Sequence, residues 1–202
     1  MALLEFEHDY ILENDVVALY PLKKEHIHEL SEFSLNEPEI WTYSLVQGGG
    51  LENLTNYIHL ALEDRKAGKS YPFIVWDKRT QKFAGSTRFY DYQPTHQTTQ
   101  LGFTWYGKQF QGTGLNKNCK FLLLEFAFEH LHLQRVEFRA DANNARSIAA
   151  MKGIGCIEEG ILRSNCQGIT GRRDSIVLSI LKSEWFGGVK SNLQTNIQQH
   201  RN

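Results

Sequence analysis

Three strand-like runs follow one another directly before a long amphipathic helix. They occupy residues 71–76, 83–92 and 100–106, and each is rich in β-branched and aromatic residues. A polar turn at 77–80 joins the first two and predicts a hairpin. A doubly wound parallel sheet needs a helix between successive strands, and no helical pattern interrupts these three. The order therefore predicts an α/β protein of α+β type, with a mixed, mostly antiparallel sheet flanked by helices.

The rest of the chain alternates between helical and strand-like patterns. The helix that begins near Gly112 repeats apolar residues every three or four positions, including Leu115, Cys119 and Phe126, which predicts one face packed in the core. Asn144 is placed to cap a later helix, and Gly155 to follow its end. The other predicted elements are strands at 16–20, 135–140, 156–163 and 175–181, and helices at 24–33, 51 to about 68, and 144–151.

The composition is that of a globular chain and excludes several classes of partner. With 41% hydrophobic and 22% charged residues, most of the chain is not expected to be disordered. A net charge of −1 gives no overall basic field for nucleic acid or an anionic membrane. No apolar run is long enough to span a bilayer, so neither nucleic acid nor a membrane is an expected partner.

The cysteines and the N-terminal residues point to a cytoplasmic location. Cys119, Cys156 and Cys166 are odd in number and form no C-x-x-C pair, which argues against a disulfide framework or a zinc site. Such cysteine usage fits a reducing compartment. The first 15 residues are acidic and lack Lys and Arg, unlike a signal or transit peptide. No metal is expected.

The 202 residues fit one domain with a short extension. Residues 1–190 are predicted to form the domain, and residues 191–202 a polar C-terminal tail. The tail is rich in Asn and Gln and has little to bury, so it is expected to be flexible.

The junction between the third strand-like run and the long helix is a candidate phosphate site. Gly112 and Gly114 remove side chains where the helix begins, and the first backbone N–H groups of a helix lack internal partners. Together with the helix dipole, these groups favour phosphate oxygens. No Lys-Ser or Lys-Thr follows as in a P-loop, and Lys117 stands where a dinucleotide fingerprint has its third glycine. What remains is a Q-x-x-G-x-G pattern that begins at Gln109.

This pattern resembles the coenzyme A pyrophosphate loop of the GNAT N-acetyltransferase superfamily. The downstream sequence is similar to the ribosomal-protein-type (RimJ/RimL-like) branch, in which N-x-x-S precedes a helix and G-F-x-x-E-G-x-x-R follows it. The resemblance extends in the same order over about residues 10–187. The matching residues are Asn144 and Ser147, then Gly155, Cys156 in place of the aromatic residue, Glu159, Gly160 and Arg163.

The resemblance implies a single GNAT-type domain that binds acetyl-CoA as co-substrate, without a metal. In that fold two neighbouring strands diverge and hold the pantetheine arm, here the strands at 100–106 and 135–140. Lys117 and Lys120 follow the loop and either reach the phosphates or face solvent. The implied coenzyme-binding residues are Phe103, Thr104 and Trp105 along the arm, Gln109, Gln111, Gly112, Thr113, Gly114, Leu115, Asn116 and Lys117 around the pyrophosphate, and Asn144 and Ser147.

The resemblance also implies direct attack of a neutral amine on the thioester. Many members protonate the departing thiolate with a tyrosine, but Met151 stands at that position, so Ser147 becomes the candidate near the sulfur. A base must remove a proton from the amine. Asp91 is the first candidate for that base and Glu39 the second, and for each the alternative is a plain surface carboxylate.

The predicted function is therefore transfer of an acetyl group from acetyl-CoA to a primary amine. The acceptor is either a protein or peptide N-terminal amine or a small-molecule amine, which the sequence does not distinguish. The alternative is a non-catalytic acyl-CoA-binding sensor or scaffold of the same fold, which Met151 favours. A homodimer is left open.

Overall fold

The computed structural model describes residues 3–169 and 171–199. Its centre is an eight-stranded sheet in the order β1-β2-β3-β4-β5-β6-β8-β7. The strands are β1 (Leu12–Glu13), β2 (Val17–Pro21), β3 (Ser70–Asp77), β4 (Lys82–Gln93), β5 (Thr98–Tyr106), β6 (Arg135–Asp141), β7 (Ile157–Gly168) and β8 (Gly171–Leu181). The α-helices are α1 (His26–Asn36), α2 (Leu51–Lys66), α3 (Leu115–Glu125), α4 (Ala145–Lys152), α5 (Lys182–Glu184) and α6 (Lys190–Gln199).

The sheet is mixed and mostly antiparallel, as the sequence predicts. Every neighbouring pair of these strands is antiparallel except β5 and β6, which are parallel. The parallel pair needs a crossover connection, and α3 supplies it. Because only residues 107–114 separate β5 from α3, the N-terminus of the helix lies near the end of that strand. No helix among the described residues is both long and apolar enough to cross a membrane.

The predicted elements are present, with the largest differences of length in the last hairpin. The strands β7 and β8 extend beyond the predicted runs at 156–163 and 175–181. Most side chains of β7 are exposed, so the strand lacks the alternation of apolar and polar residues by which a half-buried strand is recognised. The two-residue strand β1 was not predicted either, because it is too short to carry a pattern.

The C-terminal segment corrects one expectation. Helix α6 covers most of the segment that was expected to bury little, and it packs against α3. Leu193 and Ile197 lie four residues apart on one face and are only 1% and 7% exposed. Two apolar residues at helical spacing are enough to anchor a helix that is otherwise polar. The domain boundary at 190 and the flexibility of the segment stay predictions, and residues 200–202 lie outside the described residues.

The core face of α3 is confirmed. Leu115, Cys119 and Leu123 are fully buried, and Phe126 at the following turn is 7% exposed. Burial raises the pKa of the Cys119 thiol to about 12, so the group packs as an apolar side chain. This packing fixes the direction of α3 and therefore of the loop that precedes it.

Candidate active site

The loop before α3 has the open geometry that a phosphate group requires. Gly112 and Gly114 adopt φ values of +75° and +82°, in the left-handed region that favours glycine. A Cβ atom at Gly112 would meet no protein atom within 4 Å, so the space above it is free. Gly114 is the N-cap of α3 and supplies no side-chain cap. The helix therefore presents backbone N–H groups toward this space.

The remaining bonds of the loop hold its shape. The Thr113 hydroxyl donates to the Phe110 carbonyl oxygen at 2.8 Å, and Arg79 Nη1 donates to the Thr113 carbonyl oxygen at 3.0 Å. The Gln111 amide donates to the Tyr106 carbonyl oxygen at 2.8 Å and so ties the loop to the end of β5. These contacts hold the loop in place without covering Gly112.

The parallel strands β5 and β6 are paired over only a short length. Thr98, Thr99 and Gln100 face Arg135, Val136 and Glu137, and a cleft opens between the strands beyond these positions. Residues 101–106 line one side of the cleft and residues 138–141 the other. The separation of the strands leaves an entrance that an elongated ligand can follow.

A β-bulge shapes the β5 side of this opening. Ser86 pairs with Trp105 and Arg88 with Gly102, so two residues of β5 lie opposite Thr87 alone. One of them, Phe103, has a φ of +50°, a conformation that costs a non-glycine residue free energy and is often found at functional sites. Its carbonyl oxygen accepts a hydrogen bond from the Tyr57 hydroxyl at 3.2 Å.

Cation–π and aromatic contacts also hold the residues of the β5 bulge in place. The Arg88 guanidinium lies 4.1 Å from the centre of the Phe103 ring and 4.9 Å from that of Tyr57. Trp41 packs against Trp105 with ring centroids 4.6 Å apart. The strained residue is thus fixed by its neighbours rather than free to relax.

One continuous cleft of about 970 Å³ joins the glycine loop to the far ends of β6 and β8. It is lined at one end by the glycine loop and α4, and at the other by residues 42–45, Asn165, Cys166 and Arg173. Of the residues proposed from the sequence to bind coenzyme, Phe103, Thr104, Trp105, Gln111, Gly112, Gly114, Asn116, Lys117, Asn144 and Ser147 line the cleft.

Three of the proposed coenzyme residues do not line the cleft. Leu115 is fully buried in the core, the Thr113 side chain is occupied by the loop bonds, and Gln109 is exposed. The proposal for Leu115 and Thr113 concerned backbone N–H groups and stays a prediction, as does the one for Gln109.

The beginning of α4 faces the same cleft. The Asn144 side chain accepts a hydrogen bond from the Ser147 backbone N–H at 3.1 Å, which confirms the predicted helix cap. The cap uses the backbone of Ser147 and not its hydroxyl group. Met151 is 7% exposed and lines the cleft one turn later.

Lys120 corrects an expectation. The sequence placed it either on a solvated face or on the phosphates, but it is only 5% exposed. Its Nζ atom donates to the hydroxyls of Thr104 at 2.7 Å and Thr87 at 3.3 Å. Burial lowers the pKa of this ammonium group to about 8. Lys120 lies between the core face and the cleft face of α3, so its side chain extends beneath β5.

The two candidate bases differ in their access to the cleft. Glu39 lines it from the turn at Pro38–Trp41 and forms an ion pair with Lys108, which lowers the pKa of the carboxyl group. Asp91 does not line it, and its carboxylate accepts hydrogen bonds from Gln93 at 2.8 Å and Gln100 at 2.7 Å. Of these two partners, Gln100 lines the cleft and links Asp91 to it, and the role of Asp91 as a base stays a prediction.

Sequence reasoning missed a carboxylate at the end of β6. Asp141 lines the cleft, accepts a hydrogen bond from the Asn143 backbone N–H at 2.9 Å and lies 3.8 Å from Arg173 Nε. Arg173 also donates to the Tyr43 carbonyl oxygen at 3.3 Å. These three residues are far apart in the chain, so no local pattern could have grouped them.

A second missed residue lies at the glycine loop. Arg146, in the first turn of α4, donates from Nη1 to the Gln111 amide oxygen at 2.5 Å. It adds a positive charge at the end of the cleft where phosphates are expected. Its place between Asn144 and Ser147 was the available signal.

The described residues contain no group of three or more His, Cys, Asp or Glu side chains arranged to hold a metal ion. Apart from the carboxylates of Glu39 and Asp141, the polar groups that line the cleft are backbone N–H groups, hydroxyls, amides and the cationic groups of Lys and Arg side chains. Such groups suit a phosphorylated, amide-rich ligand.

Comparisons with known proteins agree with this geometry. A Bacillus subtilis protein provisionally named ribosomal N-acetyltransferase YdaF is 31% identical over 103 residues, which are 51% of this chain and 56% of that protein. The chain thus matches about half the length of YdaF. A GCN5-related N-acetyltransferase structure from Brucella melitensis is 24% identical with a TM-score of 0.87, covering 96% of this chain and 87% of that one.

A further solved structure shows the same fold. Mycobacterium smegmatis RimJ in complex with CoA-disulfide is 18% identical with a TM-score of 0.78, covering 93% of each chain. The family model described as the acetyltransferase (GNAT) domain matches residues 17–157, well over half of the sequence. The chain therefore belongs to the GNAT family of acetyltransferases.

Proposed function

We propose that this protein transfers an acetyl group from acetyl-CoA to a primary amine in a ternary complex. The observation that carries the proposal is the continuity of one cleft from the open glycine loop, through the gap between β5 and β6, to a polar chamber beyond. A long thioester ligand fits such a path, and the chamber leaves room for an acceptor beside it.

The glycine loop is the proposed pyrophosphate site. The backbone N–H groups at the start of α3, with Gly112 left open above them, are suited to phosphate oxygens. Arg146 and Lys117 add positive charge at the same end of the cleft. The strand β5, with Phe103, Thr104 and Trp105, would contact the pantetheine arm.

The chemistry requires a polarised carbonyl, a neutral amine and a stabilised thiolate. A backbone N–H group at the β5 bulge is the proposed donor to the carbonyl oxygen, whose charge grows during attack. Ser147 is the proposed donor near the sulfur, since Met151 has no proton to give. Glu39 and Asp91 remain the proposed bases. Glu39 has direct access, although Lys108 favours its charged form and makes it a weak base.

The acceptor is proposed to enter at the end of the cleft formed by residues 42–45 and the β7–β8 hairpin. The relative YdaF is provisionally named a ribosomal N-acetyltransferase, and this name favours a protein N-terminal amine for this chain too. A small-molecule amine is the other candidate. A cytoplasmic location is proposed with either acceptor.

A thiol-release assay tests the function. The full chain is incubated with acetyl-CoA and a panel of amino-terminal peptides and small amines, and free coenzyme A thiol is measured. We expect at least one amine to raise thiol release above the hydrolysis rate seen without acceptor. Coenzyme binding without stimulation by any amine would favour the alternative, a non-catalytic acyl-CoA sensor or scaffold.

A further inference from the structure

Lys120 is a buried cation in the cleft to which the proposed chemistry assigns no role. Lys120 is 95% buried, and in the part of the chain that the structure describes it forms no salt bridge. Among residues 3–169 and 171–199, the hydrogen-bond partners of its Nζ atom are the Thr87 and Thr104 hydroxyls, which are themselves 2.7 Å apart. An ammonium group in such a place is costly and is rarely kept without a partner of opposite charge.

The position of Lys120 places that charge beside the proposed path of the thioester. Thr104 belongs to the β5 bulge, at the point where β5 and β6 have separated. Lys120 and Thr104 both line the cleft, as does Met151 on its other side. A negative charge that forms in the cleft beside Thr104 would supply the opposite charge that the ammonium group lacks.

We propose that Lys120, acting through the Thr104 hydroxyl, stabilises and protonates the thiolate that leaves when the acetyl group is transferred. This inference rests on the proposed acetyl transfer and names a residue for the step that Met151 cannot perform. Ser147 would then orient the sulfur from α4, and Lys120 would supply the charge and the proton from below β5.

The step balances with the groups present. The carbon–sulfur bond breaks and its electron pair stays on sulfur. A proton moves from the Lys120 ammonium group to the Thr104 hydroxyl as that hydroxyl gives its own proton to sulfur, which leaves neutral Lys120 and a free thiol. The acceptor amine loses one proton when it becomes an amide, and solvent returns an equivalent proton to Lys120.

The neighbouring titratable groups do not compete for this role. Burial raises the pKa of the thiols of Cys119, on the same helix, and Cys156, beyond α4, to about 12, so both are neutral. The Tyr106 hydroxyl on β5 donates to the Asn116 side chain at 3.2 Å, and burial raises its pKa further. Lys117, one turn earlier on α3, lines the cleft toward the loop.

Lys120 is also matched in acidity to its proposed partner. Burial lowers the pKa of the ammonium group to about 8, and a simple thiol titrates at about 8.5. Proton transfer between groups of similar pKa near the working pH is efficient in either direction. At neutral pH most of the protein carries the charged form of Lys120.

The test is the titration of bound coenzyme A, which needs no acceptor and no turnover. The ultraviolet absorbance of the thiolate is followed against pH for saturating coenzyme A, with the complex of desulfo-coenzyme A as the blank. Binding is checked first by calorimetry. We expect the thiol in the Lys120→Met complex to titrate at least about one pH unit higher than in the wild type, a tenfold change in acidity.

Two further variants separate charge from fold. Lys120→Arg keeps the charge, so the bound thiol should titrate near the wild-type pH. Thr104→Val keeps Lys120 but removes the bridging hydroxyl, so the bound thiol should titrate at a higher pH. Lys66→Met is the control, because Lys66 is exposed on α2 and pairs only with Glu63. If Lys120→Met does not fold, the other two variants carry the comparison.

The outcomes distinguish this inference from the proposed function. Equal thiol titrations in the wild type, Lys120→Met and Thr104→Val, with coenzyme A bound to each, would overturn the role of Lys120 and leave acetyl transfer standing. Failure of the wild type to bind coenzyme A at all would overturn both.

Discussion

The two ends of the cleft are built in different ways. The proposed coenzyme half, defined as residues 111–117 with residues 101–106 of β5, residues 138–140 of β6 and the start of α4, is set mainly by backbone geometry, such as the positive φ values of Gly112, Gly114 and Phe103. The proposed acceptor half, defined as residues 39–45 with Asp141, Cys166 and Arg173, depends on contacts between distant segments, such as Arg173 with Tyr43, 130 residues apart. Backbone geometry constrains what can bind, whereas side chains brought together from distant loops can vary without loss of the fold.

This difference suggests how the parts of the cleft should respond to substitution. Changes in the coenzyme half should affect coenzyme affinity or the chemical step. Changes in the acceptor half should affect the acceptor alone.

Gly112→Asp should weaken acetyl-CoA binding by more than about a hundredfold, because a carboxylate would face the pyrophosphate at close range. Gly112 has a φ of +75°, which Asn tolerates well and Asp moderately, so Gly112→Asn is the matched variant without charge. Calorimetry should show a far smaller loss of acetyl-CoA affinity for Gly112→Asn than for Gly112→Asp. Equal affinity of the wild type and Gly112→Asp would remove the loop from the coenzyme site.

Lys120→Met should raise the free energy of unfolding at pH 7 by about 3 kcal/mol, as an order of magnitude. The pKa of Lys120 falls from 10.5 to about 8 in the folded protein. Between these values the unfolded state binds more protons, so wild-type stability should rise with pH through that window. The difference in the free energy of unfolding between Lys120→Met and the wild type should therefore become smaller by pH 10.5. Urea denaturation at several pH values would measure it.

The contrary result for Lys120 is a variant that is less stable than the wild type at neutral pH. It would mean that the bonds to Thr87 and Thr104 outweigh the cost of burying the charge. The two hydroxyls are already within hydrogen-bond distance of each other, so they keep a partner when the lysine is removed.

Ser147→Ala should lower kcat by roughly ten- to a hundredfold, about 1.4–2.7 kcal/mol, with little change in coenzyme affinity. The helix cap should survive, because Asn144 bonds to the backbone of residue 147. Steady-state kinetics with a rate-limiting chemical step would measure the effect, and Ser31→Ala on exposed α1 is the control. An unchanged kcat would assign the stabilisation of sulfur to other groups.

Arg173→Met should reduce kcat/KM for the acceptor by about five- to thirtyfold, since a charged hydrogen bond to the Tyr43 segment is lost. The dissociation constant of acetyl-CoA should stay within error of the wild type. Arg172→Met is the matched control, because Arg172 bonds to Ser164 on the exposed hairpin and does not line the cleft. An equal loss of coenzyme affinity in Arg173→Met would contradict the division of the cleft into two halves.

The sequence predicted the coenzyme half far better than the acceptor half, for a physical reason. The glycines of the loop, the apolar face of α3 and the Asn144 cap are each set by residues a few positions apart. A pattern of residues therefore reports them. The β5 bulge, by contrast, follows from pairing between β4 and β5, and nothing in the local sequence of Phe103 indicates a positive φ.

The acceptor half and the buried Lys120 show more clearly what local sequence patterns cannot predict. Asp91 was the first candidate base because it ends a strand beside the expected cleft, yet its carboxylate contacts Gln93 and Gln100. Asp141 lines the cleft but carries no motif. Lys120 was expected either to reach the phosphates or to face solvent, and only the packing of α3 beneath β5 shows that it is buried. Such placements depend on the whole fold.

Binding of acetyl-CoA across the glycine loop and between the separated ends of β5 and β6 is the claim on which the proposed function depends. Amide hydrogen exchange of the full chain, with and without saturating acetyl-CoA, tests it directly. We predict slower exchange at 102–105, 111–116 and 144–147, and unchanged exchange at 165–169 and 171–173 on the β7–β8 hairpin. Slower exchange confined to the hairpin or to residues 39–45, with none at the loop or β5, would contradict the claim.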